Sequence, residues 1–367
     1  MSLRSWPLLW LCLLVVPAFT FAAETPKASE APALDAKQRT RVVEAVIAQV
    51  KARHYSAEKA ALAERMLRSR LKRGDYDAIT AHRELANVLT EHLVRDGQDA
   101  HFVVIYSAQP VPRNMPLPWE PASPEVEKFR ASREERRRLM ALREAYGIGR
   151  VERLDGNVGY LRLTSFPEPK YAAEAAASAM RLLSATDALI IDLRGNGGGD
   201  NELVALYLGW LLPERTHVLD TLWKGRPREQ LHTPASPPAG RYGGKDVYVL
   251  TDGNTFSAAE TLAYDLQARK RARVVGETTQ GGANPGVALP VDDHFVVGVP
   301  MGQTVHALTK TSWEGVGVKP DLPVPAEDAL RTAHVAALTA LAKHTEDPMQ
   351  AEEVREALES LGAGAKP

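Results

Sequence analysis

The chain has 367 residues, 44% of them hydrophobic and 25% charged, and a formal net charge of −1. So even a balance gives no field that would draw in nucleic acid or an anionic membrane surface, and the length allows two domains or one large domain with an appendage. A single cysteine, Cys12, rules out a disulfide framework.

Residues 1–23 read as a signal peptide: Arg4, the apolar run PLLWLCLLVVPAF, then the small Ala22 and Ala23, with Pro17 arguing against a buried helix. Cys12 falls inside it, so the exported chain is expected to carry no thiol and to work in a periplasm or outside the cell. Residues 24–34 (ETPKASEAPAL) are Pro/Ala-rich and read as a disordered linker. Over residues 35–100 apolar side chains recur every three or four positions in VVEAVIAQV, AEKAALAERMLRSRLKRG and AITAHRELANVLTEHLV. Three amphipathic helices ended by Gly74 and Gly97 predict an N-terminal helical bundle.

Residues 101–149 hold a strand opening at His101 (HFVVIYS), a linker with six prolines (QPVPRNMPLPWEPASP) and a charged helix over 125–146, read as a solvated face. From 150 to 345 strands and helices alternate: NVGYLRL, YAAEAAASAMRLLS, ALIIDLR, NELVALYLGWLL, THVLDTLW, a loop PREQLHTPASPPAGRYGG, DVYVL, AAETLAYDLQARK, then ARVVGE, HFVVGVP and QTVHAL. This alternation predicts an α/β core. Residues 346–367 read as a C-terminal helix and tail. No later apolar run is long enough to span a bilayer, so no membrane anchor is expected.

Three segments could carry chemistry. ALIIDLR runs into Gly195, Asn196, Gly197, Gly198 and Gly199. A dinucleotide fingerprint would need glycine where Asp200 stands, and no G-K-[ST] follows, so no cofactor is expected. Backbone donors for an oxyanion, or a plain turn, remain. Asp192 and Arg194 read as a pair bracing this loop. Ser257 stands between DVYVL and a helix, with Glu260 three residues on. S-x-x-E is the pattern of a capping box, so the serine reads as a helix cap or as a nucleophile at a helix start. No G-x-S-x-G surrounds it. Among ten histidines, His82 and His92 fall on helices and His294 and His306 on strands, whereas His101 sits at the junction of bundle and core. No H-E-x-x-H or His/Asp cluster suggests a metal. Glu314, between Trp313 and a glycine-rich turn, is held either to orient a base or in a salt bridge.

Taken together, ALIIDLRGNGGGD, GNTFSAAETLAYDL, ARVVGETTQGGANPG and SWEGVGVKPD resemble, in order and spacing, the tail-specific serine peptidase superfamily. The likeness is to the branch of the tricorn-protease core and interphotoreceptor retinoid-binding protein, over about residues 40–345. The resemblance implies a Clp protease/crotonase-like ββα core, with Ser257 as nucleophile. It implies an oxyanion hole from the N–H of Ala258 and of Gly198 or Gly199. The lysine of the processing-protease branch would fall at Gly282, so the lysine dyad is absent. The histidine of the tricorn-like branch corresponds to His101 in DAHF, and its glutamate to Glu314. A serine that precedes that histidine is Ala100 here, so either Glu314 reaches His101 directly or through water, or catalysis is weaker. Between Tyr106 and Arg150 there is no room for a PDZ domain.

The expected partner is a peptide or unfolded protein, and self-association stays open. A peptidase and a non-catalytic binder of a hydrophobic ligand or peptide are the two functions the likeness accommodates.

Overall fold

The computed structural model describes residues 33–238 and 240–362. The signal peptide expected over 1–23, residues 24–32 of the expected linker and residues 363–367 of the expected tail lie outside the described residues.

The chain enters through three helices, α1 (Ala36–Arg53), α2 (Ala57–Arg73) and α3 (His82–Gly97). Asp35 and Gln38 form a capping box on α1, Ser56 caps α2, and Gly74 ends α2 in the left-handed conformation at φ 80°. That conformation costs glycine nothing. Val43, Val46, Ile47, Leu67, Leu85 and Leu89 bury one stripe of each helix. These stripes do not close only on one another. They share a single apolar cluster with Val104, Leu289, Phe295 and Val297. Those residues belong to a separate antiparallel sheet that pairs β1 (Val103–Tyr106) with β10 (Phe295–Pro300) and β10 with β9 (Gly286–Pro290). The expected bundle therefore packs against strands drawn from both ends of the sequence.

The charged helix α4 spans Pro124–Arg143, three residues short of the expected end, because Ala145 and Tyr146 take positive φ. Then come β2 (Ile148–Leu154), β3 (Val158–Leu163), α5 (Pro169–Leu183), β4 (Ala188–Asp192), α6 (Asn201–Leu211), β5 (His217–Trp223), β6 (Glu229–His232), β7 (Asp246–Thr251), α7 (Ala258–Ala268) and β8 (Arg273–Gly276). After β9 and β10 follow β11 (Gly302–His306), β12 (Leu322–Pro323), α8 (Ala329–His344) and α9 (Pro348–Ser360). The strand β6 lies where a loop was expected. Its four residues EQLH carry little pattern of their own, and their pairing with β5 makes the strand.

The main sheet has the order β12-β8-β7-β4-β3-β2, with β3, β4, β7 and β8 parallel and β2 antiparallel at one edge. β4 reads ALIID because both its faces are covered. Leu189 and Ile191 face α5, α6 and α7, and Ile190 faces α8 and α9. This α/β layering, as the sequence predicts, brings the loops at the carboxyl ends of β3, β4, β7 and β8 to one side of the sheet, where open α/β sheets place their sites. Among the described residues no helix is long and apolar enough to cross a membrane.

Candidate active site

β7 ends at Thr251, and a turn over Asp252–Phe256 leads into Ser257. Asp252 Oδ1 accepts the N–H of Gly195 at 3.0 Å and Thr255 Oγ1 donates to the carbonyl of Leu193 at 3.0 Å, so the serine turn is fastened to the glycine-rich loop. Ser257 itself has φ 56° and ψ −119°. An ordinary N-cap is extended, as Ser56 and Ser123 are here. A non-glycine residue in this region costs on the order of 1–3 kcal/mol and persists only where its surroundings enforce it.

What enforces it is Glu260. Its fully buried carboxylate accepts four bonds: the N–H of Ser257 at 2.8 Å, of Gly281 at 2.7 Å and of Gly282 at 2.8 Å, and the hydroxyl of Thr279 at 2.5 Å. Burial pushes the Glu260 carboxyl up to about 7, against the pull of those four donors.

His101 lies not on the strand but in the turn before β1. Its Nε2 stands 3.2 Å from Ser257 Oγ, and its ring packs on Phe256 with centroids 4.6 Å apart. The structure thus brings the predicted serine and histidine together across 156 residues. Burial, offset by the charge of Asp99, holds the imidazole down at about 4.

The backbone donors divide. Gly198 N–H is committed to Asn196 Oδ1 at 2.8 Å, and a Cβ on Gly198 would fall 2.8 Å from Ser257 Cβ and 2.9 Å from Ala258 N. Phe166 bridges Gly199 in parallel fashion, bonding the carbonyl of Gly198 and the N–H of Asp200. In that pattern the N–H of Gly199 points away from Phe166. Neither it nor the N–H of Ala258, at the first turn of α7, has a protein acceptor among the described residues.

Glu314 follows the salt-bridge alternative of its two expected readings, meeting Lys59 rather than His101. Its Oε2 accepts the N–H of Ala283 at 2.8 Å and of Asn284 at 3.2 Å, and its Oε1 lies 3.5 Å from Lys59 Nζ. Among the hydrogen bonds of the described residues, it makes none to His101. Burial and the neighbouring charge of Asp99 raise its carboxyl above the usual range. Lys59 also stands 3.6 Å from Asp99 Oδ2. Burial opposes its charge, yet Asp99, Tyr55 and Glu314 outweigh that and hold its ammonium above its ordinary value.

Asp99, Lys59 and Glu260 are the polar groups of this site that sequence reasoning did not single out as functional. Asp99 had a signal, two residues before His101. Lys59 had none, being one of two lysines among the many charges of an amphipathic helix.

The remaining candidates go elsewhere. Asp192 and Arg194 pair at 2.9 Å, and Tyr160 also donates to Asp192. His82 packs on Tyr106, His92 meets the Tyr76 hydroxyl, His294 meets the Ser107 carbonyl and His306 meets Asp265. No group of three metal-ligating side chains occurs among the described residues.

Residues 157–324 match the family model of peptidase family S41. A carboxy-terminal-processing protease of Bartonella bacilliformis is 26% identical over 177 residues, 47% of this chain and 40% of the relative. A carboxyl-terminal-processing protease of Synechocystis is 35% identical over 127 residues, 34% of this chain and 28% of the relative. The match thus spans less than half the length of either curated relative. Among solved structures, a lipoprotein from Streptococcus agalactiae superposes with a TM-score of 0.53 at 14% identity, covering 82% of this chain and 96% of its own, a likeness of fold.

Proposed function

We propose, from the match of residues 157–324 to the model of peptidase family S41, that the chain is an exported serine peptidase acting on peptides or unfolded chains. The observation that carries this reading is the 3.2 Å approach of His101 Nε2 to the hydroxyl of Ser257, a residue held at φ 56° beside unpaired backbone donors. A cap needs neither the strain nor the imidazole.

In the proposed reaction Ser257 Oγ attacks the scissile carbonyl carbon while His101 Nε2 takes its proton. The carbonyl oxygen becomes an oxyanion facing the N–H groups of Ala258 and Gly199, with Gly198 lending close backbone approach rather than its committed N–H. The C–N bond breaks, the amine leaves with the proton from Nε2, and a serine ester remains. Water then attacks the ester, giving a proton to Nε2 that passes back to Oγ as the acid leaves. Glu314 contributes as part of the charged set behind His101. The leader read over residues 1–23 places this activity in the periplasm or outside the cell.

Hydrolysis of a fluorogenic unstructured peptide by the wild type, Ser257→Ala and His101→Ala tests the reading. Hydrolysis by the wild type that both variants lose, with little change in Tm, supports it. Equal turnover by Ser257→Ala overturns it.

A further inference from the structure

For His101 Nε2 to accept the Ser257 proton it must be bare, so the neutral ring carries its own proton on Nδ1. Nδ1 is buried and has no hydrogen-bond partner among the described residues. A buried donor in that state costs about 1–3 kcal/mol. A matching deficit lies two residues before it in the chain, on Asp99, which is 1% exposed and whose Oδ2 is likewise buried without a hydrogen-bond partner; His54 Nε2, in the same state, stands 3.4 Å from that oxygen. Asp99 Oδ1 accepts the backbone N–H of His101 at 3.1 Å, an Asx turn that fixes the carboxylate beside the residue carrying the ring. Glu314, by contrast, spends one oxygen on two backbone N–H groups and faces Lys59 with the other.

We propose that Asp99 is the positioning residue of this site: its Oδ2 accepts the Nδ1–H of His101, directly or through one water, and so selects the tautomer that leaves Nε2 open to Ser257. The inference rests on reading Ser257 and His101 as nucleophile and base. Lys59 and His54 stand 3.6 and 3.4 Å from the same Asp99 Oδ2, and Lys59 links that carboxylate to Glu314. Glu314 therefore acts one charge removed from the ring. Of the groups facing His101, Asp99 favours the protonated ring, while burial and Lys59 oppose it. The helical bundle, through Lys59 and His54, becomes part of the catalytic apparatus.

Asp99 could instead serve the Asx turn alone, and Asp99→Asn separates the two roles. Asparagine keeps the turn through its Oδ1 but puts an NH2 group where Oδ2 stood. A donor there drives Nδ1 to become an acceptor and moves the proton to Nε2, the tautomer that cannot act as base. Two experiments on the full exported chain read this. The imidazole tautomer of His101 is read by two-bond 15N–1H correlation in the resting protein. Turnover of a fluorogenic unstructured peptide is measured for Asp99→Asn, Glu314→Gln and wild type. The expected result is an Nδ1–H tautomer in wild type and Glu314→Gln, and Nε2–H in Asp99→Asn. The Asp99→Asn kcat falls on the order of 10³-fold, with KM and Tm little changed. An Asp99→Asn variant that keeps the Nδ1–H tautomer and turns over within about threefold of wild type overturns the inference, as does a tautomer switch in Glu314→Gln alone. Because the tautomer is read without substrate, a wild type that cleaves nothing sinks the peptidase reading and leaves this measurement standing.

Discussion

A Cβ on Gly282 would stand 2.8 Å from Cε1 of His101 and inside the van der Waals envelope of the Phe256 ring. The resemblance places the lysine of the processing proteases at this position, and here the histidine and the phenylalanine fill that space. In this chain a side chain at position 282 and the His101 ring in its present place exclude each other sterically. Gly282→Ala should push Phe256 and His101 apart from Ser257, destabilise the fold by about 1–3 kcal/mol and slow peptide hydrolysis at least tenfold. Gly282→Lys should be inactive. The check is Tm together with peptide turnover.

The strain at Ser257 makes a separate prediction. Its φ of 56° is one that glycine adopts freely. Ser257→Gly should therefore be more stable than Ser257→Ala by about 1 kcal/mol, although both lose the hydroxyl. Urea denaturation of the two variants measures the difference. Equal stabilities would mean that the turn is not strained.

Glu260 ties Ser257 to Gly281 and Gly282, and both its oxygens accept from two donors. Glutamine cannot match this, because its NH2 must face two donors in either orientation, so Glu260→Gln should lose several kcal/mol. The pH dependence has a definite sign. A carboxyl raised to about 7 in the folded state, against an unfolded value of 4.5, binds its proton more tightly when folded. Its contribution is present in full below pH 4.5 and is lost as pH rises through about 7. The Tm gap between wild type and Glu260→Gln should therefore narrow from pH 5 to pH 8, as read by calorimetry.

Much of this was legible in the sequence. The buried strand ALIID, the glycine run after it, and the serine between strand and helix each carry a local pattern, and the parallel sheet turned those three segments to one side. The other half of the site was not written locally. His101 differs from the other histidines only in standing at a junction, and it reaches Ser257 because β1 pairs with β10, a partner nearly 200 residues on. Lys59 sits on α2 with the same helical periodicity as its neighbours, and only the packing of the bundle against the core sets it between Asp99 and Glu314. Glu260 announced itself as a helix-capping residue, and its three further donors come from a loop some twenty residues away.

Burial of His101, opposed by Asp99 and reinforced by Lys59, should also set the pH range of activity. With the imidazole held at about 4, below its ordinary 6.5, the neutral base persists well into acid. The acid limb of kcat/KM should have its midpoint below pH 6, where an unperturbed histidine would already be half protonated near 6.5. Lys59→Met removes a charge that opposes protonation of the ring, so its acid limb should move to higher pH than wild type. A Lys59→Met profile that coincides with the wild type would detach Lys59 from the base.

Reaction with a peptidyl phosphonate, followed by mass spectrometry of the peptide spanning residues 252–269, reads the nucleophile directly. A covalent adduct on Ser257 in the wild type, absent from Ser257→Ala and strongly slowed in His101→Ala, is the result expected of an imidazole-activated hydroxyl. A folded wild type that stays unmodified, or one modified at the same rate without His101, would contradict it.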